Sequence, residues 1–342
     1  MDASHPYSAL TPDVVLNALD GVGLRCDGRL LALNSYENRV YQVGLEEPVE
    51  GVPPAAAVSV VAKFYRPGRW TNDQILEEHA FASELADAEI PVVAPLVLEG
   101  RTLHEREGFR FAVFPRRGGR APDLENEETL EWLGRFIGRI HAVGGTKPFV
   151  HRPRLDIESF GEEPRRFLLE SGVIPPDLLA PWKQAAELAL EGVRHAYDRA
   201  GEVADLRVHG DCHPSNVLWT PETGNAPGGP HFVDLDDSRM APAVQDLWML
   251  VSGDRHSMGR QLRRLLEGYE DFREFDDREL HLVEALRTLR LIHYSAWLAR
   301  RWDDPAFPIA FPWFDTPRYW QDRILELREL VAALQEPPPV PE

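Results

Sequence analysis

The sequence predicts an α+β fold in two lobes, a small β-rich half with one helix followed by a larger, mainly helical half. Three observations carry this. Short runs rich in Val and aromatic residues occur within residues 1–115. A turn-rich segment, RRGGRAP at 116–122, follows them and reads as a hinge. Beyond it, long amphipathic stretches alternate with short apolar runs.

The elements follow in order. RVYQVG (39–44), VSVVAKF (58–64) and FRFAVF (109–114) read as strands bounded by turn-forming or charged residues. NDQILEEHAFASELADA (72–88) lacks Gly and Pro, and its Asn-Asp start suits a helix cap. The two prolines of EIPVVAPLVL (89–98) exclude a helix and suggest an edge strand. Past the hinge, Leu130, Leu133, Ile137 and Ile140 recur at helical spacing, and further helices are expected at 178–199, 258–270, 277–302 and 317–335. Leu206–Val208, Val217–Trp219 and His231–Leu235 are short apolar interruptions. The division expected is a nucleotide-binding lobe over 1–115, a catalytic and acceptor lobe over 116–336, and a disordered PPPVPE tail at 337–342. Two lobes across a hinge suggest a ligand-binding cleft.

Composition narrows the class. The chain has 342 residues, room for about two structural units. Hydrophobic residues make up 43% and charged residues 27%, ordinary values for a globular protein with a sizeable core. With 56 acidic and 37 basic side chains the net charge is −19, which argues against nucleic acid as a partner. No apolar run approaches the roughly 20 residues of a membrane span, and MDASHPYSAL lacks the features of a signal peptide. Cys26 and Cys212 form no CxxC or secreted framework. A cytoplasmic monomer without membrane association is expected.

The chemistry concentrates in VHGDCHPSNVLW (208–219) and FVDLDD (232–237). Asp211 and Asn216 are five residues apart on a turn-rich loop, and Asp234 ends an apolar run. A lone acid here would be a solvated residue or a cap. The ordered set, with the spacing of H-R-D-x-x-x-x-N and Gly210 in place of the arginine, fits metal-dependent phosphoryl transfer. One carboxylate takes the hydroxyl proton, while an amide oxygen and a second carboxylate hold Mg²⁺ against nucleotide phosphates.

The first half supplies matching parts. Lys63 in VVAKF resembles the lysine of V-A-I-K, which contacts phosphates and pairs with a helix glutamate. On a helical wheel Glu78 falls within the apolar arc of Ile75, Phe81, Ala82, Leu85 and Ala86, where a carboxylate needs a cation. Lys63–Glu78 is therefore the expected pair and Glu77 a solvent-face residue. A G-x-G-x-x-G phosphate loop is missing. LNSYENRVY (33–41) stands in its place without a glycine, offering backbone amides and the Ser35 hydroxyl.

With these residues in hand, the sequence resembles the aminoglycoside phosphotransferase/choline kinase-like superfamily, and within it the bacterial stress response kinase A (SrkA/RdoA) family. HGDCHPSNVLW, FVDLDDSRMAPAVQDLW and VAKFYRPGRWTNDQILEEHAFASEL carry the superfamily likeness, and NSYENRVYQV, FAVFPRRGGR, GYEDF, RLIHYSAWLARRW and PWF fit the subfamily. The resemblance runs over roughly residues 8–335. It implies a two-lobed protein-kinase-like fold, with an αC-like helix in the small lobe, and transfer of the ATP γ-phosphate to Ser or Thr of proteins, including itself, in stress response. By motif position it implies Asp211 as base, Asn216 and Asp234 as Mg²⁺ ligands, Lys63 on the phosphates, Ser35 on ATP and Phe114–Arg117 at the adenine. Asp236 would support a second metal, and Asp246 would brace the catalytic loop. Only seven residues separate Asp234 from Pro242 and no A-P-E follows, so an activation segment has no room.

The motif alone leaves a small-molecule kinase acting on an alcohol, amino alcohol or aminoglycoside as the alternative, because positioning and charge neutralisation serve any hydroxyl. A pseudokinase scaffold is disfavoured by the complete residue set. Gly134-x-x-x-Gly138 reads as close helix packing, and His141, His209 and His213 as structural groups.

Overall fold

The computed structural model describes residues 5–49, 57–222 and 228–341, and the chain divides into two compact units. The first comprises 1–122, 150–152 and 214–237; the second comprises 123–149, 153–213 and 238–342. Glu342, at the end of the expected tail, lies outside the described residues.

The first unit contains α1 (Pro12–Asp20), β1 (Cys26–Ala32), β2 (Arg39–Leu45), β3 (Ser59–Phe64), α2 (Asn72–Asp87), β4 (His104–Arg106) and β5 (Phe109–Pro115). The strands form an antiparallel sheet in the order β1-β2-β3-β5-β4, with Lys63 of β3 between Val40 and Ala112. Alternation decides its faces: Val60, Ala62 and Phe64 join Val43, Phe111, Val113 and α1 in one apolar core, leaving Val61 and Lys63 on the other face. Neither α1 nor β1 was anticipated from sequence, although Thr11 caps α1 and Pro12 opens it.

Two local expectations change. Thr71, not the Asn-Asp pair, caps α2, in a reciprocal capping box with Gln74. Residues 89–98 form no edge strand: Pro91 and Pro95 lack N–H donors, and pairing is confined to isolated bridges at Val92–Phe232 and Leu98–Arg101.

The second unit contains α3 (Glu127–Gly144), α4 (Glu163–Ser171), α5 (Pro176–Ala200), β6 (Leu206–Val208), β7 (Arg239–Ala241), α6 (Arg255–Tyr269), α7 (Val283–Arg300), α8 (Ala306–Ala310) and α9 (Pro317–Ala333). Asp254 caps α6 and starts it three residues before the periodic apolar pattern does. The stretch 277–302 divides, with a tight turn at Asp277–Leu282 preceding α7. α3 packs on α6 through glycines: a Cβ at Gly134 would fall 1.9 Å from the Leu265 carbonyl oxygen, and one at Gly268 2.0 Å from that of Glu131. The proline-rich tail has no secondary structure, yet Pro339 is buried and Arg255 donates to the Pro337 carbonyl and the Glu336 carboxylate.

Candidate active site

The face of β3 that carries Val61 and Lys63 and the buried edge of α2 open onto a cavity of roughly 330 Å³ in the first unit. Its walls include Ser35, Lys63, Glu78, Asn216 and Asp234, together with Phe114, Pro115 and Arg117. Val40, Val61, Ala82, Val93 and Leu218 make much of the remaining lining apolar. The cavity thus combines apolar walls with a cluster of charged groups, the pattern of a small-molecule site.

Lys63 is buried at that end among three carboxylates. Its Nζ lies 3.0 Å from Asp234 Oδ1, 3.0 Å from Asp236 Oδ1 and 3.7 Å from Glu78 Oε1. Burial alone would lower the ammonium pKa; Asp234, Asp236 and Glu78 together hold it well above its usual value. Glu78 sits on the buried face of α2, and burial pushes its carboxyl up to about 7 against the pull of Lys63. Its second oxygen is 3.8 Å from Arg152.

Asp236 turns inward. Its side chain is 3% exposed, accepts from Asn38 at 3.2 Å and pairs with Arg69, which also bonds Asp237 at 2.8 Å. Burial raises its carboxyl, but Arg69 and then Lys63 overcome this and leave it at about 2. Asp236, for which the resemblance implies support of a second metal, thus sits in a buried ion-pair network with Lys63 and Arg69. Asp234 differs: its carboxylate is 52% exposed, and its φ of +60° is a conformation that non-glycine residues rarely adopt. Such strain concentrates at functional sites.

Asn216 and Asp234 come together because their segments pair. Val217 and Phe232 form an antiparallel bridge, and the Val233 amide donates to the Asn216 carbonyl at 3.0 Å. An amide and an accessible carboxylate on one wall are hard oxygen donors that fit Mg²⁺. Among the described residues no cluster of three or more His, Cys, Asp or Glu side chains forms a metal cage. A Mg²⁺ ion that takes its remaining ligands from phosphates and water needs none.

The glycine-poor loop has a simple explanation. No residue of 33–38 has a positive φ, so the turn between β1 and β2 demands no glycine. Asn38 anchors it, accepting from the Arg66 amide at 3.1 Å and donating to Asp236.

Glu77 is not a bystander on the solvent face. Its carboxylate accepts three consecutive backbone N–H bonds, from Val150 at 2.5 Å, His151 at 2.9 Å and Arg152 at 2.8 Å. Burial opposes the charge, but these three bonds hold the carboxyl below its ordinary pKa. Arg152, missed in the sequence, then bonds the Gln74 and Asp236 carbonyls.

Asp211 belongs to the second unit, at the end of β6. The Asp246 carboxylate braces its loop, accepting from the His209 amide at 2.7 Å and the Gly210 amide at 2.8 Å. Gly210, at φ +85°, permits the bend. His141 lies 3.0 Å from both Asp246 and the Tyr269 hydroxyl, a buried structural histidine. Asp211 Oδ1 receives Arg290 Nη1 at 2.5 Å, and Oδ2 is 3.5 Å from His213. Arg290 carried no signal in the sequence beyond helical placement. Cys212 is buried; burial, then Asp246 and Asp211, push its thiol well above the usual range.

Comparison with known proteins gives the family and the fold. Residues 29–283 match the model of the phosphotransferase enzyme family. Stress response kinase A of Escherichia coli (strain K12) is 44% identical over 337 residues, covering 98% of this chain and 97% of that protein. The chain belongs to the stress response kinase A family. A further family member, the serine/threonine protein kinase RdoA of Salmonella typhimurium, is 42% identical over the same length, again 98% of this chain and 97% of that one. The family's fold is shared with the amicoumacin kinase hAmiN, solved with AMP-PNP, Ca²⁺ and Ami (TM-score 0.69, 18% identity, 96% of this chain and 95% of that one). A microcompartment-associated aminopropanol kinase has it too (TM-score 0.68, 18% identity, 94% and 98%). The α+β kinase-like architecture expected from the sequence is therefore the observed one.

Proposed function

We propose that the protein transfers the γ-phosphate of ATP, with Mg²⁺, to Ser or Thr hydroxyls of proteins, itself included, in a stress response. The observation that carries this is the single cavity lined by Lys63, Asn216 and Asp234, the groups phosphoryl transfer needs for phosphate and metal. The adenine lies on the apolar walls near Phe114, with Ser35 toward the phosphates. Lys63 neutralises phosphate charge, and Asn216 and Asp234 hold the metal. Bound Mg²⁺ supplies charge neutralisation at the phosphate oxygens. Asp211 orients the acceptor hydroxyl and takes its proton as the new O–P bond forms and the bond to ADP breaks. The 42% identical relative that bears a Ser/Thr protein kinase name supports protein rather than small-molecule acceptors.

The test incubates the pure protein with labelled ATP and Mg²⁺, alone and with a generic protein acceptor, and locates phosphate by mass spectrometry. Phosphoserine or phosphothreonine that disappears in Asp211→Asn and Asp234→Asn is the expected result. Turnover that appears only when a small alcohol or amino alcohol is supplied, with no labelled protein, would overturn the acceptor class.

A further inference from the structure

Lys63 has three carboxylate partners, and they differ in how firmly they are held. Asp234 Oδ1 lies 3.0 Å from Nζ, but its carboxylate is 52% exposed and has a second use in the proposed reaction, on the metal. Glu78 is buried, stands farther off at 3.7 Å and shares its charge with Arg152. Asp236 is the partner that is both at 3.0 Å and fixed from behind. Its Oδ1 faces the ammonium, while Oδ2 takes Asn38 Nδ2 at 3.2 Å and Arg69 Nη1, and the Arg152 guanidinium holds its backbone carbonyl.

Arg69 reaches this point through the turn that follows β3. Residues 66–69 close it, with the Arg69 amide donating to the Arg66 carbonyl at 3.3 Å, Pro67 at the second position and Gly68 at φ +79°. The Arg69 side chain is 12% exposed, and its fork spans two carboxylates, Nη1 on Asp236 and Nη2 on Asp237 at 2.8 Å. The Trp70 ring lies against it, with the Arg69 guanidinium carbon 5.0 Å and that of Arg152 4.6 Å from the ring centre.

We propose that Arg69 is a positioning residue for nucleotide binding: it fixes Asp236 by one oxygen so that the other holds the Lys63 ammonium at the phosphate end of the cavity. This rests on the reading of Lys63 as the phosphate contact. An ammonium on a flexible stem is a mobile point charge, so where it stands depends on the anion that holds it. A carboxylate gripped at its far oxygen by a guanidinium fork and an amide is a fixed anchor, which the accessible Asp234 is not. Through space alone, loss of the Asp236 charge beside Lys63 would favour a phosphate. Loss of an anchor would do the reverse. The arrangement is built from side chains of the protein alone, so its effect is measurable without a metal.

The experiment measures ADP and adenosine affinity by calorimetry on the full chain, in EDTA and in Mg²⁺. Wild type is compared with Arg69→Met, Arg69→Lys, Asp236→Asn, Arg69→Met/Asp236→Asn and Lys63→Met, with the melting temperature of each. In EDTA, Asp236→Asn and Arg69→Met are each expected to lose roughly tenfold in ADP affinity and nothing in adenosine affinity. Arg69→Lys, which keeps the charge but not the fork, should lose part of it. The double variant removes cation and anion together, so its melting temperature should return toward wild type from that of Arg69→Met while its ADP affinity stays low. Three results would overturn the assignment: tighter ADP binding in Asp236→Asn, a double variant that recovers ADP affinity together with stability, or a loss seen only with Mg²⁺, as a second metal on Asp236 would give. Wild-type ADP affinity in Lys63→Met would instead remove the reading of Lys63 itself, whatever the Arg69 variants do.

Discussion

Glu77 Oε2 accepts the backbone N–H of Arg152 at 2.8 Å, at the end of a run of three amides gathered by one carboxylate. The neighbouring Glu78 carboxylate then meets the Arg152 guanidinium, so adjacent residues of α2 hold the backbone and the side chain of one arginine. Glu77→Ala strands three donors and should cost roughly 2 kcal/mol of stability, toward the low end for charge-assisted bonds because the segment is partly exposed. Chemical denaturation of Glu77→Ala and Glu77→Gln would measure it. Glu77→Gln, which keeps an acceptor, should lose less, and equal losses would show that the amides do not depend on this side chain.

Lys63 should matter before any nucleotide arrives. Lys63→Ala leaves Glu78 and Asp236 buried with only Arg69 and Arg152 to compensate them. The expected penalty is on the order of 3 kcal/mol in the nucleotide-free protein, the scale of a broken buried pair. Adding Asp236→Asn to Lys63→Ala should recover part of that loss; a purely additive double variant would mean that the two groups are not coupled.

Gly134 and Gly268 set the distance between α3 and α6. The atoms a Cβ would strike are backbone carbonyl oxygens, which cannot rotate away, so the helices must separate. Gly134→Ala should destabilise by about 1–3 kcal/mol despite the better helix propensity of alanine. A melting temperature at or above wild type would show that the helices part without penalty.

A pH dependence is expected from Glu279, buried and accepting the Val244 amide at 2.8 Å. Burial raises its pKa from 4.5 to about 7. A carboxyl raised on folding binds its proton more tightly in the native state, so its contribution is complete below pH 4.5 and is lost as pH rises through 7. The loss is on the order of 3 kcal/mol. Glu279→Gln, which can still accept from Val244, should flatten the decline in stability between pH 5 and 8, as read from melting curves at both values.

The parts of the site that lie within a local pattern were legible in the chain. Lys63 is late in an alternating strand, Glu78 falls on an apolar helical arc, and Asn216 and Asp234, which line the same cavity, belong to short motifs. What stayed hidden depends on partners distant in sequence. Arg152 joins Gln74 across 78 residues, and Arg290 meets Asp211 across 79. Helical periodicity says that an arginine is off the buried face, but not which carboxylate it will find. Glu77 shows the same limit from the other side: the wheel placed it away from the core correctly, and its three backbone partners arrive from another segment. Asp236 pairs with Arg69 across 167 residues, a contact that no local pattern in the chain announces.

The discontinuity of the first unit has a consequence for how the protein is made. The segment 214–237, which brings Asn216 and Asp234, reaches the unit long after residue 122. At ribosomal speeds of about 5–20 residues per second, the sheet emerges on the order of ten seconds before the segment that completes the cavity wall. Val93 and Phe232, joined by a hydrogen bond at 2.9 Å in the finished protein, are separated during that interval. The nascent small unit must wait with that edge unfilled, and an N-terminal fragment ending at the glycine-rich connector would remain in that state indefinitely.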